Sequence, residues 1–228
     1  MLTLVASCGS LQLRRAAPDP PSTFQRRVIK IWAEPSPNFD RNALLEGCNV
    51  WLVKGVSCEL VDQDWKAHIR VYDDPKAECK TDGDSSYALA VAYEGGKIVM
   101  MTPCMRKWLG FGGIRREMFQ TVFSHEVGHE LGIWDHVPES CDPKDLKPRK
   151  VKVDGKTNTY TQVIKVHPNG QPICGQALMN PAYEPGVDVP TEIDALAFDV
   201  RDLTNSVRYR QGGQPVPDGQ AICVFTAE

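Results

Sequence analysis

Apolar and polar positions alternate first at Val28, Ile29, Ile31 and Trp32 (RVIKIWAE), which predicts a strand closed by Pro35 and Pro37. Asn38 or Asp40 can cap the helix that follows, where Ala43, Leu44, Cys48, Trp51 and Leu52 recur at near-helical spacing up to Gly55. Short strands are expected at Cys58 to Val61 and His68 to Tyr72, with Asp73-Asp74-Pro75 turning the chain. Tyr87 to Tyr93 (YALAVAY) reads as one apolar strand, joined through Glu94-Gly95-Gly96 to a second at Lys97 to Met101. Gly110, Gly112 and Gly113 lead into the strongest helix, about Ile114 to Leu131, with Met118, Val122, His125 and His129 on one face.

Beyond Pro138 the pattern changes. Residues 149 to 166 (RKVKVDGKTNTYTQVIKV) predict a polar-faced hairpin turning at Asp154-Gly155 or at Lys156 to Asn158. We read 138 to 175 as an insertion bracketed by Cys141 and Cys174, a pair able to staple it. A last helix is expected from Glu192 to Val207, capped by Thr191. Residues 1 to 26 are a tail and Pro-rich linker, 27 to 211 one domain, and 212 to 228 a C-terminal tail.

Composition narrows the function classes. A net charge of −3 leaves no basic excess to neutralise phosphates, so nucleic acid is not an expected partner. No apolar run reaches the roughly 18 residues needed to span a bilayer. The eight cysteines include no C-x-x-C pair, so they suit disulfides in an oxidising compartment better than a structural metal site. Val5-Ala6-Ser7-Cys8 resembles a bacterial lipobox, which implies a lipid tether through Cys8; the apolar stretch before it is short and lacks a basic start. The chain is expected to be extracytoplasmic and monomeric.

The chemistry concentrates in His125-Glu126-Val127-Gly128-His129-Glu130-Leu131-Gly132-Ile133-Trp134-Asp135-His136. Helix positions four apart differ by about 40° and about 6 Å along the axis, so His125 and His129 can aim at one ion. Glu126 lies about 100° round, within reach of a water at that ion without ligating it. Gly132 can end the helix and return the chain toward a third donor, Asp135 or His136. Asp135 is favoured by the spacing from Gly132, which would leave His136 at the rim.

This segment resembles the signature of the metzincin zinc peptidases, H-E-x-x-H-x-x-G-x-x-H/D, and Ala177-Leu178-Met179-Asn180-Pro181 is similar to that clan's Met-turn. The Asp-His ending is similar to the snapalysin group; the Met-turn looks like that of the matrixins. The resemblance implies an α+β fold with a twisted, mostly parallel sheet, an antiparallel edge strand, an active-site helix and a C-terminal helix. It also implies Zn2+, Met179 as support beneath it, Glu126 as general base, and a protein or peptide substrate. Val137 stands where the snapalysin group has a tyrosine, and Tyr183 is the nearest aromatic candidate for assisting at the metal. A non-catalytic zinc-binding or envelope protein on the same fold is the alternative. His68 and His167 are expected to be surface or loop residues.

Overall fold

The computed structural model describes residues 28–79, 85–93, 95–108, 113–133, 135–153, 156–160, 162–183, 185–201, 208–210 and 214–215. The expected tail and lipobox with Cys8, Gly110, Gly112, Trp134, the Asp154-Gly155 turn, the last helix beyond 201 up to Val207, and Cys223 in the C-terminal tail lie outside them.

Strand β1 (Val28–Ala33) buries Ile31 and Ala33, as its alternation requires. Helix α1 (Arg41–Asn49) is capped by Asp40, which accepts from the Asn42 and Ala43 amides at 2.9 and 3.2 Å. The other candidate cap, Asn38, instead donates to Asp73 at 2.6 Å. A 3-10 turn (Val50–Lys54) carries the chain to Gly55, whose φ of 75° is left-handed. Strands β2 (Ser57–Leu60) and β3 (Ile69–Asp73) then pair in parallel on either side of β1.

The YALAVAY stretch is not one strand. Ala88 and Leu89 are consecutive and both buried, which breaks the two-residue period of a strand lying on one surface. The chain divides there into β4 (Ser85–Tyr87) and β5 (Ala90–Tyr93). β5 forms the expected antiparallel hairpin with β6 (Lys97–Met100), and β6 joins β3 in parallel. The main sheet therefore has the order β2-β1-β3-β6-β5, with one antiparallel strand at its edge. A short helix α2 (Thr102–Trp108), too brief to show a periodic pattern, follows unannounced by the sequence.

Helix α3 (Arg116–Glu130) packs across α1 and against β5. The core between sheet and helices contains Ile31, Leu44, Trp51, Ile98, Phe119 and Phe123, all fully enclosed. In the insertion, β7 (Arg149–Val153) pairs with β8 (Lys156–Tyr160). Val153 pairs with Lys156, and Lys156–Asn158 lies within β8, which excludes that stretch as the turn. β4 lies parallel to β7, so Tyr87, the first residue of YALAVAY, belongs to the insertion's sheet. Strands β9 (Ile164–Val166) and β10 (Pro172–Ile173) form a second antiparallel pair. Helix α4 (Glu192–Asp199) starts at Thr191 with a full capping box, the Asp194 carboxylate accepting from the cap's amide. β11 (Arg208–Arg210) and β12 (Gln214–Pro215) extend the β9 sheet.

Three disulfides tie the loops to this frame. Cys48–Cys58 joins α1 to β2, Cys79–Cys104 joins the segment after β3 to α2, and Cys141–Cys174 closes the insertion. Among the described residues no helix is long and apolar enough to cross a membrane.

Helices α1 and α3 approach closely at Gly47, where a Cβ would meet the Gln120 carbonyl oxygen at 2.8 Å and Ser124 Oγ at 3.0 Å. Gly47→Ala gains roughly 1 kcal/mol in helix propensity but forces the two backbones apart. A net loss of about 1–2 kcal/mol in urea unfolding is expected, and an unchanged or raised midpoint would show the contact to be loose.

Candidate metal centre

The α3 helix presents His125 and His129 on one face, and the chain reverses directly after it. Gly132, at φ 98°, lets the Gly132 amide reach the His129 carbonyl at 2.9 Å and the Ile133 amide reach the Gly128 carbonyl at 3.1 Å. The returning strand is then pinned at Val137, whose amide donates to the Met179 carbonyl at 2.8 Å. One residue earlier, His136 is buried and turned inward. Its Nε2 lies 3.0 Å from His125 Nε2. The ring centroids of His125, His129 and His136 are 4.8 to 5.0 Å apart. Their donor nitrogens all lie within 4.8 Å of one another, a group able to hold a metal ion.

Asp135, favoured by the sequence for this place, is not one of the three. Its carboxylate lies 2.6 Å from Lys165 Nζ in β9, and both side chains are only 11% exposed. Spacing from Gly132 located the point of return correctly to within one residue. It could not register a buried ammonium that arrives from the insertion and draws the carboxylate away.

The protonation pattern of two imidazoles follows from their partners. His125 Nδ1 is 2.7 Å from the Leu178 carbonyl and His129 Nδ1 is 2.7 Å from the Ile133 carbonyl. A carbonyl only accepts, so each Nδ1 carries the hydrogen and each Nε2 keeps a lone pair facing the centre. Burial drives the same way: it pushes His125 down to about 4, and burial followed by the neighbouring His125 pushes His129 down to about 3. The charge of Asp135 opposes that shift at His129. Both rings are thus neutral donors at physiological pH.

Glu126, the residue after His125, is buried, and burial pushes its carboxyl up to about 8 against the hydrogen bond it receives from the Ala92 backbone. Glu130, four residues on, is held in the same way by the Gly96 backbone and is also raised to about 8 by burial. The Glu126 and Glu130 carboxyl groups therefore both address the β5–β6 hairpin. The i, i+4 spacing of Glu126 and Glu130 was visible in the sequence as the counterpart of the histidine spacing, though only Glu126 was singled out.

Beneath the histidines, residues 177–180 form a fully bonded turn. Asn180 Oδ1 accepts from the Ala177 amide at 2.7 Å, and its Nδ2 donates to the Val137 and Gly175 carbonyls at 2.9 Å. Met179 is completely buried and touches Gly128 so closely that a Cβ there would stand 2.3 Å from its Sδ. From below, Asp194 accepts the Leu178, Met179 and Thr191 amides at 2.8, 2.9 and 2.7 Å. Burial raises the Asp194 pKa, and these hydrogen bonds work against the rise. Neither Asp194 nor Asn180 had been given a role; the T-x-x-D capping pattern at Thr191 was the available signal.

Tyr183 packs edge-on against Trp108 at 5.0 Å between centroids and is not in the histidine group. His68 and His167 also lie outside it, their Nδ1 atoms accepting the Lys30 and Asn169 amides at 3.1 and 3.3 Å.

Asp194→Asn would set an N–H2 group against at least one backbone N–H. A destabilisation of about 2 kcal/mol is expected in urea unfolding; a loss under 0.5 kcal/mol would show that the turn does not depend on this carboxylate. Compared with protein-family models and with curated proteins, the chain finds no match in either, so what the site does has to be read from its own atoms.

Proposed function

We propose that this chain is a zinc-dependent endopeptidase of the metzincin kind, working outside the cytoplasm. The observation that carries the reading is the convergence of three imidazoles, with a buried Glu126 directly following His125 on α3. Three imidazole nitrogens, with a fourth tetrahedral position left for water, are the donor set of a catalytic zinc site. A mostly parallel sheet whose antiparallel edge strand lies along the histidine helix supports the family assignment, as does the buried methionine turn beneath. His136 takes the third ligand place in this reading, which moves the site from the snapalysin pattern toward three histidines. Three disulfides support an oxidising compartment; the lipid tether inferred at Cys8 rests on the sequence alone.

When bound, zinc supplies Lewis acidity, polarising a water and the scissile carbonyl. Glu126 holds its carboxyl group by the Ala92 amide and takes the proton from the attacking water, then returns it to the leaving amine. His125 and His129, oriented by the Leu178 and Ile133 carbonyls, keep their Nε2 lone pairs directed inward throughout. An extended peptide would lie along β5, the edge strand of the sheet.

Glu126→Gln is expected to retain zinc, measured by metal analysis after dialysis, and to lose casein hydrolysis by about 10²–10⁴-fold. Hydrolysis at the wild-type rate would remove Glu126 as base. Zinc retention with no hydrolysis in the wild-type protein would favour a metal-binding protein without catalysis.

A further inference from the structure

The pair formed by Asp135 and Lys165 has no part in the proposed hydrolysis, yet it is buried against the metal group. Asp135, His136 and Lys165 line one small cavity with the apolar side chains of Ile133, Val163 and Ile173. Two adjacent residues of one returning strand, Asp135 and His136, are both metal-ligand types. Only His136 contributes to the nitrogen group. The 2.6 Å contact with Lys165 accounts for the direction Asp135 takes.

We propose that Lys165 is a positioning residue that selects the third metal donor: by holding the Asp135 carboxylate it leaves that place to His136. The inference rests on the metal reading above. For Asp135 to turn toward the ion it would have to abandon an ammonium group that is itself enclosed, and an unpaired buried charge is strongly unfavourable. His136 adds no negative charge to the centre. Lys165 belongs to β9, and β9 is held against β10, which ends beside Cys174 of the insertion's disulfide. The selecting charge thus comes from outside the helix–turn segment that contains both candidate donors.

The test uses metal alone, with no peptide substrate. Zinc affinity is measured by chelator competition on the full chain, and cobalt(II) visible spectra report the donor set. His136→Asn by itself is expected to weaken zinc by about 100-fold or more, because Asp135 stays with Lys165. Adding Lys165→Met releases the carboxylate, and the double variant should recover on the order of tenfold, with cobalt bands displaced by the change from nitrogen to oxygen donor. A double variant that binds no better than His136→Asn overturns the proposal. So does a His136→Asn protein that binds as tightly as the wild type. A second arm avoids any folding defect from Lys165→Met: Asp135→Asn in the otherwise unaltered chain should leave the cobalt bands in place, and moved bands would show Asp135 to be a ligand despite Lys165. A wild-type protein that takes up neither zinc nor cobalt would remove the metal reading and this inference together. Tight wild-type binding without recovery in the double variant removes the role of Lys165 alone.

Discussion

The buried carboxylate of Asp194 accepts two successive backbone amides, Leu178 and Met179, and through them fixes three parts of the site at once. The carbonyl of Leu178 orients His125, and the carbonyl of Met179 receives the Val137 amide and so sets where His136 stands. The Met179 side chain fills the space beneath Gly128, which lies between the two helical histidines and next to His129. Each of these links is a single hydrogen bond or contact of modest net value. Together they make the positions of two histidines functions of one turn, and that turn is held by a side chain at the start of α4. Thr191 makes this possible, since its capping box directs the same carboxylate upward as the helix begins.

Burial then determines the charge state of what the turn has gathered. It depresses His125 and His129 and raises Glu126 and Glu130, so all four groups are drawn toward their neutral forms. Neutral imidazoles are the form a dication can use. A carboxyl group raised by desolvation is also the one most responsive to a nearby positive charge, which would favour its ionised, basic form. Hydrogen bonds from Ala92 and Gly96 restrain both acids without neutralising them. The edge hairpin is thereby part of the site's electrostatics as well as its wall.

Local features of the site were legible in the sequence, and those set by distant partners were not. The i, i+4 histidines, the turn at Gly132, the cap at Thr191 and the β5–β6 hairpin follow from patterns within a dozen residues, whereas the parallel sheet was expected only from the resemblance. The Cys141–Cys174 bridge was anticipated because the two cysteines flank a change of pattern. The pairing of Asp135 with Lys165 was not legible, because that partner lies thirty residues downstream and across a disulfide. The division of YALAVAY depended in the same way on β7, which captures Ser85–Tyr87 from far along the chain. Asp194 and Glu130 were unremarkable as letters; only packing makes a carboxylate surrounded by amides different from one in water.

The same distinction separates the three clustered histidines into two kinds. His125 and His129 are brought together by helix geometry alone, and α3 could align them wherever it formed. His136 is brought in by non-local structure: the return at Gly132, the Val137–Met179 bond and the neighbouring carboxylate's engagement with the insertion. The insertion leaves and rejoins the chain at nearly one point, since the Gly175 amide donates to the Pro138 carbonyl at 2.8 Å and Cys141 is bridged to Cys174. That closure restricts the unfolded chain and sets β9 beside the third histidine. Two nitrogens alone would make an open, weakly selective site. The Asp135–Lys165 contact thus ties the segment that contains the third nitrogen to the insertion.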